Sequence, residues 1–181
     1  MKKICLVFSL LIFLLSFVPF SGAFAQTGSI TEKKPGVNYE LPYPGLLPDS
    51  PLYFLRVIRD KTVGFLISDP LKKSEFDLLQ ADKRLNAGIY LFNRGKVSLA
   101  LSTISKAENY FEAAIQKVKE ARKEGMETRE TINKLINSSS KHQEILRSLE
   151  KKVPQNFRAG VDFQLQRAVS FEKEVISLTL K

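Results

Sequence analysis

The chain has 181 residues, 44% of them hydrophobic and 26% charged, with a formal net charge of +9 at pH 7. That balance fits a globular domain and excludes a disordered chain, which lacks the apolar content to offset the entropy of folding. Nine glycines, eight prolines and one cysteine exclude a collagen-like or disulfide-stapled chain.

Residues 1–25 have the layout of a secretory signal peptide. Lys2 and Lys3 give a positive start, Ile4 to Phe20 is an uncharged, mostly apolar run, and Ala23-Phe24-Ala25 follows Ser21 and Gly22 as a cleavage site before Gln26. The apolar run is slightly long for such a segment and falls short of the roughly 20 residues of a bilayer span. Cleaved export is the reading the layout favours; an uncleaved N-terminal anchor is the competing one. Cys5 stands at the start of the apolar run, misplaced for lipid attachment, and leaves with the leader. The expected product, residues 26–181, then has no thiol and depends on burial alone. None of its segments reads as a membrane span.

That product has 26 basic and 19 acidic residues, a net charge of +7. Divided after residues 50, 95, 125 and 153, it carries −1, +3, +2, +2 and +1 in chain order. A charge spread so thinly is a mildly cationic surface and not a nucleic-acid footprint, so nucleic acid is not an expected partner. An envelope protein, an anionic wall polymer or a lipid surface fits better, through weak, salt-sensitive attraction. The plainer reading is a solvated surface that keeps the protein soluble.

Gln26 to Ser50 reads as an extended tether, with Pro35, Pro42, Pro44 and Pro48 forbidding helix. Its apolar part, Tyr39 to Leu47, is expected to pack on the folded body. Ser50 and Pro51 then read as the N-cap and first position of a helix over Leu52 to Ile67, with Phe54, Leu55, Ile58, Phe65 and Leu66 near one face and Gly64 as a weak point. Asp69-Pro70 repeats the start signal for a helix to Arg94, striped by Leu71, Leu78, Leu85 and Phe92 and stopped by Gly95. The third helix has the clearest pattern: Val97, Ala100, Ile104, Ala107, Phe111, Ala114, Val118 and Ala121 alternate steps of three and four, and Leu101 and Ile115 widen the stripe. Gly125 ends it. A fourth helix is expected over Glu127 to Lys152, its seam shared by Ile132, Leu135, Ser139, His142, Leu146 and Leu149, and broken by Pro154. A fifth runs from Gln155 to Leu180, faced by Phe157, Val161, Leu165, Ala168, Phe171, Val175 and Leu178.

No strand signal competes, so the fold class is all-α. The expected architecture is an elongated antiparallel bundle of four long helices, preceded by a shorter apolar helix packed across it, with successive helices as neighbours. A repeat array of helical hairpins is the runner-up. Gly88, Ala100, Ile104 and Ala107 suggest only one tetratricopeptide-like unit, where a solenoid needs at least three.

The residues that could carry chemistry are few. His142 is the only histidine, so no zinc-protease or di-iron signature can form, and no metal ligand is assigned. A haem held by His142 and Met126 would need both on facing surfaces; no cofactor is assigned. Ser138 and Ser139 precede His142 by one helical turn, a spacing that suggests a nucleophile and base. The stronger reading is a polar layer within the seam, the hydroxyls bonding back to the preceding turn, and no catalytic residue is assigned. Asn137-Ser138-Ser139 fits the glycosylation pattern by chance, in mid-helix. Tyr90, Phe92, Tyr110 and Phe111 bracket the Gly95 turn and could line a groove, although aromatics at helical spacing are more often core.

The run Leu47-Pro48-Asp49-Ser50-Pro51-Leu52-Tyr53-Phe54-Leu55-Arg56 resembles the opening of a bacterial helical family, domain of unknown function 5667. Arg56 stands where that family usually has Lys and Asp60 where it has Glu. Asp69-Pro70-Leu71 and Lys83-Arg84-Leu85 are similar to its later part. The likeness covers about residues 46–115, and the last two helices match no family by inspection. The resemblance implies an exported or membrane-anchored helical protein and defines no functional residue. The expected function is therefore a non-enzymatic binding or scaffolding role in the cell envelope, with oligomeric state left open. An envelope chaperone or stress sensor that holds unfolded or anionic clients is the alternative.

Overall fold

A computed structural model describes residues 36–179, and the leader reading over residues 1–25 lies outside the described residues. Five helices follow one another: α1 (Tyr53–Leu66), α2 (Pro70–Asn93), α3 (Val97–Lys123), α4 (Arg129–Glu150) and α5 (Gln155–Thr179). The described residues contain no strand.

Local chemistry sets most of these limits. Asp69 caps α2 through Oδ1, which accepts from the backbone N–H of Leu71 at 2.8 Å and of Lys72 at 3.0 Å, and Pro70 takes the position that needs no donor. Gly95 and Gly125 close α2 and α3 with φ of 75° and 79°, a left-handed conformation that side chains disfavour. The start of α1 differs from expectation. Ser50 and Pro51 belong to a preceding turn, in which the Tyr53 N–H bonds the Ser50 carbonyl at 3.0 Å, and helical structure begins only at Tyr53.

The helices pack as two hairpins. α2 lies along α3 and α4 along α5, while α3 also packs on α5 and α2 on α4. Within the α2–α3 hairpin the backbones come close at Gly88, where a methyl group would stand 2.5 Å from Ile104 Cγ1. One expectation needs correction: α3 and α4, consecutive in the chain, touch only sparsely. They face each other across the bundle, so the turn at residues 124–128 crosses its end. The periodicity of each helix fixes its buried face but not the order of helices around a core.

The seam of α3 is buried from Ala100 to Ala121. It meets Leu78 and Ala81 of α2, Ile132 and Leu135 of α4, and Phe171 and Val175 of α5 in one apolar cluster. A second cluster gathers Leu85, Ile104, Ala107, Leu146, Leu149, Val161, Leu165 and Ala168. Between the two lies a layer of polar and charged side chains.

Residues 36–50 are strapped to the bundle, as the apolar part of the tether predicts. Leu47 is buried, Leu41 packs on the second cluster, Asn86 donates to the Pro42 carbonyl at 2.9 Å, and the Val37 N–H bonds Glu144 at 2.9 Å. Arg56 of α1 donates to the carbonyls of Pro44 and Leu46.

Candidate functional site

The polar layer is built by one residue or two from each of three helices and one from the strap. Asp82 (α2), Glu108 (α3), Ser138 and His142 (α4) are all buried, and His142 and Glu108 have no exposed surface at all. His142 Nδ1 stands 2.9 Å from Glu108 Oε1, and its Nε2 stands 3.1 Å from Asp82 Oδ1. A neutral imidazole has one N–H and could satisfy only one carboxylate; with an acceptor at each nitrogen, the ring fits as an imidazolium donating to both. Burial by itself lowers the proton affinity of the ring. The Glu108 charge and the hydrogen bonds to Asp82 and Glu108 outweigh that effect and push the pKa up to about 9.

Asp82 is the hub of the layer. Besides the imidazolium, its Oδ1 accepts from the Ser138 hydroxyl at 2.6 Å and its Oδ2 from the Tyr39 hydroxyl at 2.5 Å. Burial, then the adjacent Asp82 charge and hydrogen bond, raise the Tyr39 pKa well above its ordinary value, so the phenol stays a donor. Glu108 is less well served. Its Oε2 is buried without a hydrogen-bond partner among the described groups, so the imidazolium is its main compensation.

The geometry separates the residues that sequence spacing brought together. Ser138 bonds Asp82, not the ring, and Ser139 bonds back to the Ile136 carbonyl at 2.8 Å, the behaviour expected of a hydroxyl inside a helix. Neither hydroxyl is paired with His142, whose two nitrogens are both engaged by carboxylates. Those carboxylates sit on opposite ring nitrogens and do not converge on one point, and no group of three or more His, Cys, Asp or Glu residues among those described is arranged to hold a metal ion. Met126 lies far along the bundle, in an open cleft of about 600 Å³ with Arg122, Arg129, Ile132 and Leu178, and shares no surface with His142. The aromatic set also divides. Phe111 is core, its ring 5.5 Å from Phe171 and 5.1 Å from His142. Tyr110 lies under the Arg84 guanidinium at 4.1 Å, Phe92 packs on the second cluster and Tyr90 is exposed.

A second feature lies on the surface. The apolar residues of α1 share a face, as their spacing indicates, but that face points away from the bundle. Phe65 is 87% exposed and Leu66 70%, and Phe54, Leu55 and Ile58 are each more than half exposed. The buried residues on the side turned inward are charged, Arg56 and Asp60, with Tyr53, Val57 and Gly64 half-buried beside them. Arg56 Nε and Arg84 Nη2 lie 3.5 and 3.9 Å from Asp60 Oδ2. Charge and the strap carbonyls thus hold α1 against α2, and its apolar side is left over. The expectation that this helix packs across the bundle on its apolar face is overturned: the position of Arg56 and Asp60, one turn apart opposite the apolar stripe, decides which side faces in.

The family model of a domain of unknown function, DUF5667, matches residues 45–156, and the chain belongs to that family. The match covers more than half of the chain and extends beyond the resembling stretch at about residues 46–115, through α4 to the first residues of α5. No curated protein and no solved structure matches the chain.

Proposed function

We propose that the protein is a non-enzymatic binding module of the bacterial cell envelope, acting through a surface and not through a reaction centre. One observation carries this reading: the apolar side of α1 is turned to solvent while the helix is held by its polar side. An exposed apolar patch on a soluble fold marks an interaction site more often than not. The enclosure of the only imidazole supports the non-catalytic half of the reading, since a general base must reach a substrate proton. The charged start, apolar run and Ala23-Phe24-Ala25 site support export.

Fractionation of cells producing the full chain with a C-terminal tag tests the location. The protein is expected outside the cytoplasm with Gln26 as its first residue. Recovery of the uncleaved chain in the cytosol would overturn the envelope assignment.

A further inference from the structure

We infer that α1 docks the bundle on an anionic phospholipid surface, its apolar side in the acyl boundary and its flanking cations among the headgroups. This rests on the binding-module reading above and names its partner.

The arrangement around the helix favours that occupant. At 100° per residue, Phe54, Phe65, Ile58, Leu55 and Leu66 fall within one third of the circumference. Lys61 borders this stripe on one side and Arg59 on the other, and both are exposed. Arg59 shares Asp60 Oδ1 at 2.7 Å, yet its side chain remains 67% exposed. Thr62, the polar residue within the stripe, satisfies its hydroxyl on the Ile58 carbonyl at 3.0 Å. An apolar stripe edged by long cationic side chains that can reach toward headgroups is the pattern of a helix lying in a membrane interface.

Charge then separates a lipid from the other occupants. The single acid of α1, Asp60, is buried against Arg56 and Arg84, so the helix presents cations without an exposed acid. A second copy docked face to face would bring Arg59 and Lys61 against their own equivalents with no carboxylate of α1 to meet them. A wall polymer supplies negative charge but nothing to cover phenylalanine and leucine. An anionic bilayer supplies both. Beside α1 the same surface continues into a cleft of about 390 Å³, lined by Tyr43, Leu46, Leu55, Arg56, Arg59 and Lys83, which combines apolar walls with three cations, Arg56 being the one already bound to the strap carbonyls. Tyr43 is 74% exposed at its edge, an aromatic placed as at membrane–water interfaces.

The test is co-sedimentation of residues 26–181, which retain every contact described above, with vesicles. One set holds equal parts phosphatidylglycerol and phosphatidylcholine, the other phosphatidylcholine alone. Binding is expected on the anionic vesicles, at least about tenfold weaker on the neutral ones, and falling with added salt. Phe65→Ser with Leu66→Ser should weaken binding at least about tenfold with an unchanged far-UV spectrum and melting temperature, because neither side chain is buried. Lys61→Gln with Lys83→Gln should flatten the salt dependence. The inference is overturned if anionic vesicles are not bound at low salt, or if the Phe65 and Leu66 variant binds as well as the parent. It is equally overturned if those two residues instead support a lipid-free dimer or the holding of an unfolded client without vesicle binding. Failure here leaves the location to be judged by fractionation alone.

Discussion

Replacing His142 with leucine is expected to destabilise the protein by about 3–5 kcal/mol at pH 7. The cost does not come from lost packing, since leucine fills most of the volume. It comes from the two carboxylates that remain. Asp82 keeps the Ser138 and Tyr39 hydroxyls as donors, but Glu108 loses the one cation and the one hydrogen bond it has among the described residues. Against a total stability of roughly 5–15 kcal/mol for a domain, such a loss is large. The double variant Glu108→Leu with His142→Leu should recover much of it, because removing both charges removes the desolvation that the pair had to offset. Urea unfolding of the three proteins measures this. A loss below about 1 kcal/mol for the single variant would mean that the charges are not buried as described.

The same substitution changes the pH dependence, and the sign follows from the direction of the shift. The folded pKa of His142 is raised to about 9 from an ordinary value of 6.5. The folded state therefore holds the proton more tightly than the unfolded chain. Its contribution is complete below pH 6.5 and is lost as the pH rises through 9, a fall of about 3 kcal/mol over that window at roughly 1.4 kcal/mol per unit. The parent should lose stability between pH 6.5 and 9, and the His142→Leu variant should lack that slope.

Phe111→Ala is expected to cost about 3–5 kcal/mol. Phe111 is 1% exposed, and its ring forms the boundary between the apolar cluster and the charged layer. It lies nearly parallel to Phe171, at 9° and 5.5 Å, and tilted to the His142 ring at 5.1 Å. Removing it opens a void beside groups that must stay dry. Surrounding side chains cannot collapse freely, because α3 has Ala107 and Ala114 on either side of it in the seam. Thermal and urea unfolding give the comparison; an effect below about 0.5 kcal/mol, typical of a surface site, would contradict the assigned packing. Because Phe111 touches His142, the two substitutions should not add.

Much of the bundle was legible because the relevant chemistry is local. Asp69-Pro70 specifies a helix start by its own donors and acceptors, and Gly95 and Gly125 specify stops by their backbone freedom. The α3 seam could be read residue by residue, since a step of three or four keeps the same face of a helix. The charged layer was half legible. His142 and Ser139 stood visibly in a seam, but Asp82 and Glu108 were missed. Glu108 did leave a signal: it falls midway between Leu101 and Ile115 in the column that widens the α3 stripe, where a charge needs a buried partner.

What periodicity could not supply was orientation. A stripe of Phe54, Ile58 and Phe65 says that these residues share a side of α1, not that this side faces the core. The answer lay in distant partners, the strap carbonyls that receive Arg56 and the Arg84 guanidinium beside Asp60, which no window of neighbouring residues contains. The crossing of the bundle end between α3 and α4 was hidden for a similar reason, since helix order is set by how all four stripes interlock.

A single histidine makes the centre of this account directly measurable, because the imidazole Cε1 proton gives one NMR signal that needs no assignment. Followed through pH in the folded protein, it should show a ring still doubly protonated at pH 7, with its transition at about pH 9. A transition at or below the ordinary 6.5, with a neutral ring at pH 7, would contradict an imidazolium held between Asp82 and Glu108 in the bundle core.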